Sequence, residues 1–140
     1  MGSEVPAQGA APYPGAAARI EQLASLNRDW NGHGAMRVAE ASRKAALGFL
    51  DRVRQEFGTS VPEPTVVAPT SDGGIALEWI VRERTHEKGV EVVFLPTGIE
   101  YSLRNRDNGR LEDDRENVDV DFLLLNVIKP HVAGHFVLAK

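Results

Sequence analysis

The chain has 140 residues, 42% hydrophobic and 6% aromatic, with no cysteine and 16 basic against 20 acidic side chains. That length suits one domain burying about two thirds of its unfolded surface without help from metal or disulfide, and the lack of Cys excludes a disulfide framework, a thiolate zinc site, an iron–sulfur cluster and a thiol nucleophile. The few aromatics argue against a stacking platform for single-stranded nucleic acid, and a formal charge of −4 offers no global attraction to phosphate.

Residues 1–18 hold six Ala, three Gly and three Pro, and Glu4 is their only charged side chain. This composition predicts a disordered leader, with a single α+β domain over residues 19–140. The leader has no basic start followed by an apolar run, so it is not a secretory signal. Pro6 stands where a myristoylation signal requires Ser or Thr. No window approaches the roughly 18 apolar residues of a membrane span. A soluble, cytoplasmic protein is expected.

From Arg19 the spacing of Ile20, Leu23, Ala24, Asn27 and Trp30 predicts a helix with one buried face. Asn31-Gly32-His33-Gly34 breaks it. A second helix is predicted from about Val38 to Phe57, with Val38, Ala41, Ala45, Phe49, Val53 and Phe57 as its stripe, Ala46 and Leu50 widening it, and Gly58 as its stop. The period then changes to 2. Thr65–Pro69 reads as a short edge strand, because Pro cannot donate to a ladder. Ser71-Asp72-Gly73-Gly74 is a hairpin turn into Ile75–Arg82. Arg84–Lys88 is a charged connection, Val90–Leu95 a third strand, and Ile99–Arg104 a fourth after Pro96-Thr97-Gly98. Residues 105–116, eight of them charged, read as an exposed loop. Residues 118–129 fit either strand or helix, and Val118, Phe122, Leu125 and Ile128 favour a helix that Pro130 ends. The expected architecture is α+β: an N-terminal helical pair, a four-stranded antiparallel meander, and a C-terminal helix packed on the sheet.

Two motifs stand out. In Trp30-Asn31-Gly32-His33-Gly34-Ala35 an aromatic, an amide and an imidazole gather at a glycine turn, which reads either as a binding corner or as a core Trp followed by ordinary turn chemistry. Around Asp72-Gly73-Gly74, backbone N–H groups can face an anion. The Lys and following helix of a phosphate loop are missing, and a plain hairpin accounts for the pattern. Together with Pro62-Glu63-Pro64, Pro69-Thr70 and Leu77-Glu78-Trp79, these stretches resemble a group of short bacterial proteins. That group shares a Trp-Asp/Asn-Gly-x-Gly-Ala turn and a Pro-Thr-x-Asp-Gly-Gly-Ile/Val-x-Leu-Glu-Trp hairpin. His33 stands here where Tyr is common in the group, and Arg37-Val38 replaces the usual Pro. The resemblance spans roughly residues 23–101 and implies a fold and a prokaryotic source, but no activity.

Catalytic and metal constellations are weak. His131 and His135 have helical metal-ligand spacing, yet Pro130 and Gly134 bracket them and no Glu lies between. Asp107, Glu112, Asp113, Asp114 and Glu116 lack calcium-loop spacing and are interleaved with Arg106, Arg110 and Arg115. No cofactor, metal ligand or catalytic residue is assigned. Charge divides unevenly: residues 19–58 carry a net +2, residues 59–104 a net −3 and residues 105–140 a net −2.

These features favour a non-enzymatic protein-binding module, an accessory, inhibitor or antitoxin-like partner of a companion protein, or one that self-associates. Its contact surface is expected on the less apolar sheet face (Glu78, Ile80, Arg82, Glu91, Val93, Glu100, Ser102) or on the edge Thr65–Pro69. The candidate binding residues are Trp30, His33, Asp72, Glu78, Ile80, Arg82 and Tyr101. One alternative is a nucleic-acid-associated regulator using Arg43, Lys44, Arg52 and Arg54 of the second helix, although nucleic acid is not the expected partner and nor is a membrane. Another is a small enzyme using His33 with Asp72 or Glu78, which requires the two turns to meet in space.

Overall fold

Proline at the start of a helix costs no hydrogen bond and alanine is the best helix former, and these two facts move the beginning of the folded body. The computed structural model describes residues 12–139. The expected leader therefore splits: residues 1–11 lie outside the described residues, whereas α1 already runs over Pro14–Ala24. Tyr13 just before it is fully buried, its hydroxyl donating to the Val61 carbonyl at 2.8 Å and its ring lying under the Arg54 guanidinium. No α1 cap comes from Tyr13. Instead the Glu63 carboxylate accepts the N–H groups of Gly15 and Ala16 at 2.9 and 2.7 Å, satisfying two orphan donors with an anion at the positive end of the helix. Low charge with Ala, Gly and Pro signals disorder only where no partner exists; here Glu63, 47 residues along from Ala16, supplies one.

The first helix ends at Ala24, so Asn27 and Trp30 are not on its buried face as expected. Asp29, at φ 64°, turns the chain away. α2 spans Glu40–Phe57 and stops at Gly58. It buries Ser42, Ala46, Phe49, Leu50 and Val53; Ala46, Phe49, Leu50 and Val53 lie on the expected face, whereas Ala41 is exposed.

The sheet has six strands rather than four. β1 (Val66–Pro69), β2 (Ile75–Glu83), β3 (His86–Leu95), β4 (Gly98–Asn105) and β5 (Leu111–Arg115) follow one another as an antiparallel meander. β6 (Phe136–Val137) pairs with Val81 and Arg82 of β2, on the same edge as β1 and beyond its end. The expected loop at residues 105–116 thus contains β5, all of whose residues are exposed. An outermost strand can be charged on both faces, and such charge blocks further pairing, so it leaves no alternating signal to read. The Arg84–Lys88 connection shrinks to a tight turn, with Arg84 at φ 55°, and its remaining charges join β3.

The segment 118–129 is helical. α3 begins with Val120–Leu123, capped by the Asp119 carboxylate accepting from Phe122 N–H at 2.8 Å. It continues through a π turn, Leu124–Ile128, into Lys129–His131. Pro130 interrupts the backbone ladder without ending the helix, and the wider turn lies immediately before it.

All three helices contribute to one core with one face of the sheet. Ile75, Leu77, Trp79, Val81, Val90, Val92, Phe94, Tyr101 and Leu103 cluster there with Ile20, Leu23, Phe49, Leu50, Val53, Leu123, Val127 and Ile128. Phe49 sits edge-on to Trp79 at 6.4 Å between centroids and 5.4 Å from Phe94. No described helix is long and apolar enough to cross a membrane.

Candidate functional site

Strand periodicity sends successive side chains to opposite faces, so packing one face under the helices presents the other. Register places Ala76, Glu78, Ile80 and Arg82 of β2 beside Val66, Ala68 and Phe136 on one flank and Glu87, Gly89, Glu91 and Val93 on the other; Glu100, Ser102 and Arg104 of β4 follow. No described helix lies over this surface, hereafter the open face. Val66 and Phe136 are exposed at its edge, Phe136 by 63%.

The two halves of the open face differ in charge pairing. Around Gly89, a chain of ions links Arg82 to Glu87 at 2.7 Å, Glu87 to Arg106 at 3.9 Å and Arg106 to Glu78 at 3.8 Å. The missing side chain of Gly89 leaves space for the Glu78 carboxylate, and these long side chains shelter Ile80, opposite Gly89, to 7% exposure. Nearer the β3–β4 turn, Glu91 and Glu100 have no cation within ion-pair distance among the described residues. Arg104 instead donates to the Gly109 carbonyl at 2.7 Å. Burial first, and then the Glu78 carboxylate, push the Glu91 carboxyl above its ordinary value, with Arg104 opposing; burial and then Glu116, Asp72 and Asp114 do the same to Glu100. Beside them a cleft of about 240 Å³ is lined by Val93, Leu111, Asp114 and Glu116 among others.

Of the expected binding residues, Glu78, Ile80 and Arg82 share this face and Tyr101 does not. Tyr101 points to the helical side, 5% exposed against Phe122, its hydroxyl donating to Asp113 at 2.8 Å. Its parity with Ile99 and Leu103 already carried that information. The Thr65–Pro69 edge is partly occupied. The Val67 carbonyl accepts from Arg19, Pro69 has no N–H, and the Thr65 hydroxyl donates to the Leu138 carbonyl at 2.7 Å.

The Trp30–Ala35 turn is a self-contained loop. Asn31 Oδ1 accepts from His33 and Ala35 N–H, the Asp29 carboxylate accepts from Gly34 N–H, and Trp30 Nε1 donates to the Met36 carbonyl at 3.0 Å. Trp30 is half-buried across the loop and stands outside the core cluster. The chain leaving this loop does meet the β1–β2 hairpin: Met36 N–H donates to Ser71 O at 2.8 Å and Ala39 N–H to Gly73 O at 2.9 Å. No side-chain contact joins His33 to Asp72 or Glu78, however. Asp72 accepts from Thr70, Glu78 faces Arg106, and His33 is exposed.

A second cluster sits at the far end of the inner face. Lys88 Nζ donates to His131 Nδ1 at 3.0 Å and lies 3.7 Å from Glu83, whose carboxylate is 3.2 Å from His135 Nε2. Its sequence signal was parity: Lys88 alternates in phase with Val90 and Val92, and Glu83 with Val81, so both point toward the core side. Their histidine partners, 43 residues away for Lys88, had no local signal. Among the described residues no group of three or more His, Asp or Glu is placed to hold a metal ion.

An ammonium donating to Nδ1 requires that nitrogen to be unprotonated. Burial and then Lys88 push the His131 imidazole below its ordinary value, with Glu83 and Asp113 opposing. The unfolded chain therefore binds this proton first, and stability falls as pH drops below about 6.5, levelling once folded His131 is itself protonated. Thermal melts across that range should show the decline, and His131→Gln should flatten it; an unchanged slope would assign the decline to other groups.

Compared with family models, curated proteins and solved structures, the chain gives no match.

Proposed function

We propose that this chain is a non-enzymatic protein-binding module, an accessory, inhibitor or antitoxin-like partner of a companion protein in a prokaryotic cytoplasm, and that it docks through the open face. The observation that carries this reading is the placement of all three helices on one side of the sheet. It leaves exposed Val66 and Phe136 at the edge of the side that no described helix covers, with Ala76, Ile80 and Val93 beside them each under a tenth exposed between charged side chains. Charge pairing supports a face over the basic helix. Arg43 is held by Glu21 and Glu40, Arg52 by Asp121, and Arg54 by the Pro12 carbonyl and the Tyr13 ring, so three of the four bases named for phosphate contact already have partners.

Capture of interacting proteins by the tagged full chain, with light scattering on the eluate, tests the proposal. Phe136→Ser and Val66→Ser alter exposed edge side chains and should change stability by no more than about 0.5 kcal/mol. Loss of the captured protein in these variants is the expected result. A strict monomer that retains nothing, or capture that survives both substitutions together, would overturn the reading.

A further inference from the structure

Charge on the open face identifies the chemistry of what covers it. The register sets Glu78 directly opposite Glu91, a like-charge cross-strand pair that weakens a sheet. Glu78 is relieved by Arg106, whereas neither Glu91 nor Glu100 has a cation within ion-pair distance among the described residues; Arg104 offsets the Glu91 burden only in part, and its guanidinium donates to the Gly109 carbonyl. Burial and neighbouring carboxylates already disfavour their ionised forms. Asp114, opposite Ser102, and Glu116 line the same cleft, where with Glu91 and Glu100 the carboxylates outnumber the two guanidinium groups of Arg104 and Arg115. Apolar atoms flank it: Val93 is 9% exposed, and Leu111, opposite Arg104 on this face, is 42% exposed.

We propose that the open face docks a basic protein segment. Its arginine or lysine side chains would sit against Glu91 and Glu100, and its apolar side chains against Val93 and Leu111. This rests on the reading that the open face is the docking face, and adds the sign of the partner's charge. A second copy meeting the face symmetrically would set these carboxylates against themselves, so charge argues against that occupant. A partner cation would relieve two groups that cost the free chain stability, the expected mark of side chains kept for an encounter rather than for folding.

The test uses the full chain, labelled for backbone amide NMR, titrated with a short peptide alternating leucine with arginine. Matched peptides carry glutamate or glutamine in place of arginine. The arginine peptide should shift the amides of Glu91, Val93, Glu100 and Ser102 and bind more weakly as salt rises. Glu91→Gln with Glu100→Gln removes two ion pairs and should weaken binding by about tenfold. The double variant should also melt no lower than the parent, which separates lost binding from lost folding. Equal binding of the three peptides at these amides would overturn the charge preference and leave the docking face standing. Shifts confined to the helices, or none with the arginine peptide, would overturn both. Binding undiminished in the double variant would overturn the assignment to Glu91 and Glu100.

Discussion

Trp79→Ala should lower the unfolding free energy by about 3–5 kcal/mol, the largest loss expected from any single substitution in this chain. Trp79 is the largest of the fully buried side chains and lies at the middle of β2, edge-on to Phe49, which in turn packs on Phe94. Truncation removes the ring from the contact between α2 and the sheet. It also takes away the donor for the Pro62 carbonyl, which accepts from Nε1 at 3.0 Å. Trp79→Phe keeps much of the buried area and loses that hydrogen bond, so its cost should be nearer 1–2 kcal/mol. Urea unfolding followed by far-UV circular dichroism separates the two. A loss for alanine no larger than that for phenylalanine would mean that the ring packs loosely. Trp79 also bears on the open face: Glu78 and Ile80 flank it on the same strand and face the other way, so the packing beneath sets the height at which they stand.

Periodicity carried the reading where one element buries one face. The alternation of Ile75, Leu77, Trp79 and Val81, of Val90, Val92 and Phe94, and of Ile99, Tyr101 and Leu103 located three central strands and their covered side. With that came Glu78, Ile80 and Arg82 on the open side. It failed where the stabilising partner is distant or the pattern is two-sided. The start of α1 depends on Glu63, and β5 is charged on both faces. Tyr101 combines two signals, a phenol that suggests binding and a parity that places its ring against Phe122. The Glu83–Lys88–His131–His135 cluster shows the general limit. Sequence parity can mark an inward charge, but only the fold supplies the partner that makes it tolerable.

The adjacent glycines of the Asp72-Gly73-Gly74 turn should both resist alanine, for different reasons, and Gly74→Ala should cost about 1–3 kcal/mol by crowding alone. A Cβ at Gly74 would lie 2.7 Å from Thr70 Oγ1, 2.8 Å from a Leu95 methyl and 2.9 Å from the Phe94 carbonyl. The leucine can rotate, but the carbonyl belongs to β3 and cannot yield without disturbing the sheet. Gly73 sits at φ 89°, where an alanine pays backbone strain of about 1–2 kcal/mol, and its Cβ would approach the Arg37 carbonyl at 3.1 Å. Gly48 in α2 meets nothing within 4 Å, so Gly48→Ala should instead stabilise by about 0.5–1 kcal/mol. Thermal and urea unfolding of the three variants should therefore give two losses and one gain. An innocuous Gly74→Ala would show that the hairpin does not lie this close to β3. The same geometry bears on the anion-binding reading of this turn. The Ser71 and Gly73 carbonyls accept from Met36 and Ala39, while Gly74 N–H is held by Thr70 Oγ1 and Gly73 N–H by the Thr70 carbonyl. Its backbone groups fasten the loop after Gly34 to the sheet, so substitutions at these glycines should register as lost stability.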